Sequence, residues 1–147
     1  MILIQDCREK HGHHSEIENY CRAHNITIVR KKLNVGDYMF PGGKIAVDTK
    51  QDLAELANDL YRDKLAFNKK YKKCLQDGIK LIVLVEENVQ SLNDIVRWKP
   101  KFGKVNGRYL LDLINILKLS YGIEFRFCEK SQVGKVLLQL LSKPIDK

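Results

Sequence analysis

Apolar positions along the chain alternate between short strand-like runs and longer stretches at helical spacing. Ile2–Ile4 is a short apolar run, read as an opening strand that delivers Asp6, Cys7, Arg8 and Glu9 at its end. Ser15 and Glu18 have the spacing of a capping box, and Ile17, Tyr20 and Cys21 form an apolar stripe behind them. This predicts a helix through about Ala23. Residues 26–29 are apolar and β-branched, a second strand. Two short strands then flank Pro41-Gly42-Gly43, a turn sequence. From about Gln51 to Leu75, the residues Leu53, Leu56, Ala57, Leu60, Phe67, Tyr71 and Cys74 recur at helical spacing, so one long helix is expected. It is stopped by Asp77-Gly78.

Residues 79–85 are apolar almost without interruption, as in a strand covered on both faces. A short helix is expected within 88–98, and residues 99–107 read as a basic loop with breakers and one aromatic, Phe102. Arg108–Tyr121 reads as a helix whose apolar residues cover more than one stripe. Either it is deeply buried or it meets another subunit. A last strand at 124–127 and a last helix at 132–141 complete the pattern, with a frayed tail from about 143. The element order predicts an α/β fold, a central mixed sheet flanked by helices.

A length of 147 residues fits one domain, 1–147, with a core large enough to need no staple. No run approaches the roughly 20 apolar residues of a membrane span. The N-terminus lacks the basic segment and apolar core of a secretory signal. Cys7, Cys21, Cys74 and Cys128 are widely spaced, with no C-x-x-C pair. They suit a reducing, cytoplasmic setting and argue against a disulfide scaffold or a zinc knuckle. The net charge of +8 favours a polyanionic partner. There is no phosphate-binding G-x-x-x-x-G-K-[ST] loop and no Ser or Cys nucleophile with a patterned His.

The chemistry concentrates around the turn. A four-residue loop, Pro41–Lys44, sets Asp37 across from Asp48, and strand alternation puts Asp48 and Lys50 on one face. Two facing carboxylates repel, and a divalent cation between them removes the penalty. Mg²⁺ takes oxygen ligands, commonly one or two carboxylates plus substrate phosphates. Asp37 and Asp48 therefore read as metal ligands, with Asp6 or Glu9 available for a second ion or a water. Lys50 is placed to position the attacking water and to balance charge on the phosphate. Arg62, Lys69 and Lys73 share a helix face suited to a nucleic-acid backbone, as do Lys101 and Lys104 in the basic loop. His11, His13 and His14 lack partners at ligand spacing.

Together these residues resemble a known pattern. The chain is similar to the nuclease domain of XPF-type structure-specific endonucleases, a branch of the PD-(D/E)xK nucleases with a restriction-endonuclease-like fold. Asp6-Cys7-Arg8-Glu9 matches an Asp-x-Arg-Glu motif, Gly36-Asp37-Tyr38 a Gly-Asp-Tyr strand, and Asp48-Thr49-Lys50 the Glu-Arg-Lys triplet. The resemblance implies a Mg²⁺- or Mn²⁺-dependent DNA endonuclease. Asp37 and Asp48 would ligate metal, Asp6 and Arg8 would be further active-site residues, and Lys50 would be the catalytic lysine. It also implies dimerisation through this domain, which accounts for the over-apolar helix at Arg108–Tyr121.

Three departures stand out. Asp48 replaces Glu, Thr49 replaces Arg, and the acid expected four residues after the lysine falls on Ala54, flanked by Asp52 and Glu55. No helix-hairpin-helix module follows, so the expectation is a stand-alone nuclease acting on DNA, with branched or flapped forms included. Two alternatives remain open: a catalytically silent DNA-binding subunit of the same fold, and a nonenzymatic interaction module built on the Arg108–Tyr121 helix.

Overall fold

The computed structural model describes residues 1–8, 14–62, 64–100 and 105–143, with backbone alone over 64–68. Six strands form one sheet: β1 (Ile2–Asp6), β2 (Thr27–Lys31), β3 (Tyr38–Met39), β4 (Ile45–Lys50), β5 (Lys80–Val85) and β6 (Glu124–Phe127). Their order is β2-β1-β3-β4-β5-β6. β3 pairs antiparallel with both β1 and β4, while β1–β2, β4–β5 and β5–β6 are parallel. The expected mixed sheet is therefore present.

Helices cover both faces because β4 and β5 are apolar on both. Ala46, Leu81, Val83 and Val85 pack with Leu53, Leu56, Ala57 and Leu60 of α2 (Leu53–Arg62). Tyr71 and Cys74 of α3 (Lys64–Gln76) and Leu110, Ile114 and Leu117 of α4 (Gly107–Tyr121) join the same cluster. On the opposite face Leu3, Tyr38, Val47, Ile82 and Leu84 meet Ile17 and Cys21 of α1 (Ser15–Ala23). Val133, Leu137 and Leu140 of α5 (Val133–Leu141) complete that layer. Alternation along β4 then decides the chemistry. Asp48 and Lys50 follow Ala46 onto the α2–α3 side, and Thr49 follows Val47 onto the α1–α5 side.

Several boundaries differ from the pattern-based expectation. The expected long helix is helical over α2 and again over α3, and Asp63, which separates the two, lies outside the described residues. Asp52 caps α2 by accepting a 2.8 Å bond from the Glu55 N–H, which starts that helix at Leu53. The Ser15–Glu18 capping box does not form; His14 is the cap residue and Ser15 is already helical. The segment within 88–98 is a 3₁₀ turn at Leu92–Arg97, where Asp94 accepts from the Ser91 N–H at 3.1 Å. α4 buries one stripe and exposes Ile116 (56%) and Leu119 (89%), so deep burial of the whole helix is ruled out.

Gly78, at φ +69°, ends the α3 segment as the Asp77-Gly78 signal predicts. Gly107 serves a different purpose. A Cβ there would run into the Ile95 carbonyl and sit 2.8 and 2.9 Å from those of Val96 and Trp98. Gly107 thus lets α4 start against the 3₁₀ turn. The Gly107→Ala variant should lose roughly 2–3 kcal/mol in urea unfolding. Leu119→Lys should stay within about 0.5 kcal/mol. A wild-type midpoint for Gly107→Ala would refute the close approach.

Candidate active site

The carboxyl ends of β1, β4 and β5 meet the start of β3 at one end of the sheet, and the acidic residues gather there. Asp6 is the last residue of β1, and its N–H donates to the Asp37 carbonyl at 2.8 Å. The β3–β4 register pairs Tyr38 with Val47 and Met39 with Ala46, and Asp37 stands one residue before β3. Asp6 ends β1, Asp48 lies in β4 and Asp37 stands just before the β3 between them, and all three are buried.

The backbone at Asp37 leaves the regular ladder, its N–H reaching the Val47 carbonyl at 2.8 Å. Gly36 permits this at φ +74°, where a Cβ would press on the Ala46 Cβ at 3.0 Å. The Asp37 carboxylate accepts from the Thr49 N–H and hydroxyl, each at 2.8 Å. Thr49 is thus spent on orienting Asp37. Asp6 accepts from the Leu33 N–H and from Arg8 Nε, both at 3.0 Å, and Arg8 donates to the Leu33 carbonyl at 2.8 Å. Asp6 and Arg8 together pin the loop after β2.

Lys50 is the centre of charge. Its Nζ donates to Asp59 Oδ2 at 2.6 Å and stands 3.7 Å from Asp48 Oδ2, with 11% of its side chain exposed. Burial works to lower its pKa. The charge of Asp48, the bond and charge of Asp59, and the charge of Asp37 outweigh that, holding it above the ordinary lysine range. Lys50 is therefore an ammonium at neutral pH. Lys70, from α3, lies 4.0 Å from Asp48 Oδ2. The Tyr71 hydroxyl is pushed up by burial and then by Asp48, so it stays protonated. Glu55 is raised by burial, against the pull of Lys50. Glu86, just past β5, is raised by burial too, and its N–H donates to the Lys50 carbonyl at 2.9 Å.

Among the described residues no group of three His, Cys, Asp or Glu side chains is arranged to hold a metal ion. Asp37 and Asp48, whose charges Lys50 feels, carry the hard oxygen atoms that a partly hydrated Mg²⁺ or Mn²⁺ would take. Arg62 is exposed, its Nη2 3.6 Å from Asp59 Oδ1, and Lys69 and Lys73 are exposed on α3. Lys101, Lys104, Glu9, His11 and His13 lie outside the described residues. His14 sets its ring edge-on to Tyr38, with centroids 5.6 Å apart.

No family model matches the sequence. No curated protein matches it either. Solved structures do. XPF from Aeropyrum pernix superposes with a TM-score of 0.67 at 18% identity, over 95% of this chain and 64% of that one. The same protein in complex with DNA superposes with a TM-score of 0.67 at 19% identity, over 95% of this chain and 62% of that one. The fold is that of XPF-type nucleases. The chain spans less than two thirds of either XPF chain.

Within this XPF-type fold, Asp59, Lys70 and Tyr71 are the site residues that sequence reasoning passed over. Asp59 and Lys70 sit in helices read only for their apolar stripe or as a basic face. One signal was available: Glu55 and Asp59 are spaced i, i+4, on one side of α2.

Replacing Thr49 by Val removes one buried hydrogen bond to Asp37 and should cost about 1 kcal/mol in thermal or urea unfolding. Thr49→Ser should restore most of it; equal losses in both variants would refute the bond. Glu55 has a folded pKa above its unfolded value of about 4.3. Its favourable contribution is present below that pH and is lost as pH rises through the folded pKa. The Tm of Glu55→Gln relative to wild type should therefore climb between about pH 4 and pH 7. A lead that shrinks over this range would contradict the assignment.

Proposed function

We propose that residues 1–147 act as a Mg²⁺- or Mn²⁺-dependent DNA endonuclease that hydrolyses phosphodiester bonds. The observation that carries this reading is the buried Asp48–Lys50 pair on β4, with the Asp37 carboxylate hydrogen-bonded to the Thr49 between them, in an XPF-type fold. Asp37 and Asp48 would hold the metal. When bound, the ion supplies Lewis-acid polarisation of the phosphoryl oxygen and lowers the pKa of the attacking water.

The protein's own groups do the rest. Thr49 orients the Asp37 carboxylate through two hydrogen bonds. Lys50, kept charged by its acidic neighbours, balances negative charge that develops on the phosphate. Its raised pKa supports that role over proton abstraction. Asp6 and Arg8 brace the loop at Leu33 that borders the site. The substrate is DNA, with branched and flapped forms included. The net charge of +8, exposed Arg62, Lys69 and Lys73, and the DNA complex of the matched XPF support this. Exposed Ile116 and Leu119 on α4 support a homodimer or a protein partner at that face. Four free cysteines suit a cytoplasmic setting.

The test is cleavage of single-stranded, flapped and branched DNA with Mg²⁺ or Mn²⁺. Wild type should cut at least one of them. Lys50→Ala should fall about a hundredfold in kcat, and Asp48→Asn should be inactive. Salt-sensitive binding without cleavage under either metal would replace this reading with a silent DNA-binding subunit. Undiminished activity in Asp48→Asn would sink the site assignment.

A further inference from the structure

The family pattern wants an acid four residues after the lysine, and Ala54 stands there. Neither flanking acid fills the gap by direct contact. Asp52 Oδ1 caps α2 at the Glu55 N–H. Glu55 is near enough for Lys50 to feel its charge, yet the short bond to the ammonium comes from Asp59, more than one helical turn further along. We propose that Asp59 is the positioning residue for Lys50, holding its ammonium over Asp48 in place of the acid absent at position 54. The catalytic part of this inference rests on the endonuclease reading above.

The geometry explains why a helix acid suits the task. A lysine carries a flexible four-carbon stem and three donors, so its head is defined only by what it binds. Asp59 Oδ2 takes one donor at 2.6 Å, which leaves the head 3.7 Å from Asp48 Oδ2. Asp59 is itself well anchored. α2 buries Leu53, Leu56, Ala57 and Leu60 beneath it, and Asp59 Oδ1 stands 3.6 Å from Arg62 Nη2. A site residue on a packed helix holds its geometry better than one on a loop. Lys70 adds a second ammonium beside Asp48, on the strand whose triplet has Thr49 where a basic residue is expected.

Three measurements test this. In Mn²⁺-dependent DNA cleavage, Asp59→Asn should lower kcat about a hundredfold, with KM within about twofold of wild type. Asp59→Glu should recover part of the loss, and Asp77→Asn, at the far end of α3, should behave as wild type. Acetylation by an amine-reactive ester, read by mass spectrometry, should spare Lys50 in wild type and label it in Asp59→Asn. Exposed Lys69 should be labelled in both. Calorimetric titration with Mn²⁺ should give the same affinity for wild type and Asp59→Asn.

A wild-type kcat in Asp59→Asn overturns the positioning role. Loss of Mn²⁺ binding overturns it too, because Asp59 would then be a ligand. Equal labelling of Lys50 in both proteins overturns the clamp whether or not the protein cleaves DNA. A wild-type protein that binds but never cuts overturns the endonuclease reading, and the catalytic role with it.

Discussion

Lys50 exposes little of its side chain, and a lone ammonium at that depth would lose more in solvation than the fold recovers. It stays charged because Asp48, Asp59 and Asp37 surround it. The dependence is mutual. Asp48 is buried on a strand covered by helices, and without nearby cations its carboxylate would be equally costly. The ammonium therefore ties β4 to α2 electrostatically where apolar packing stops. Ala46 and Leu56 hold the strand and helix together by burial; Lys50 and Asp59 continue that contact with charge.

A second constraint acts from the opposite side of the strand. Thr49 projects away from Lys50, yet its N–H and hydroxyl both reach Asp37. This works because Gly36 turns the chain through a left-handed conformation that brings it close to β4. The Gly-Asp pair is thus a backbone device as well as a source of a carboxylate. The glycine sets the approach, the aspartate uses it, and Thr49 fixes the result.

Much of this was legible in the sequence because strand periodicity is strict. The alternation through Ile45–Lys50 forces Asp48 and Lys50 to one side, and Pro41-Gly42-Gly43 fixes the loop length and hence the pairing of Tyr38 and Met39 with Val47 and Ala46. The continuous apolar run at β5 likewise announced a strand covered twice. What escaped notice involves side chains that meet across helices. Asp59 and Lys70 reach the site only after α2 and α3 pack on the sheet, and nothing in their local spacing encodes where those helices lie. The cap at Ser15 failed because the pattern names a residue type and not its backbone conformation.

The parallel pairing of β4 with β5 makes α2 and α3 the crossover between them. Asp48, Lys50, Glu55, Asp59, Lys70 and Tyr71 all lie on that one strand–helix–strand passage. Asp37 reaches the cluster from the chain before it. Most of the charge network thus depends on contacts of modest sequence separation, whose loop-closure entropy is small. The electrostatic centre can assemble as a local folding unit, ahead of the pairing of β1 with β2 and β3 that extends the sheet.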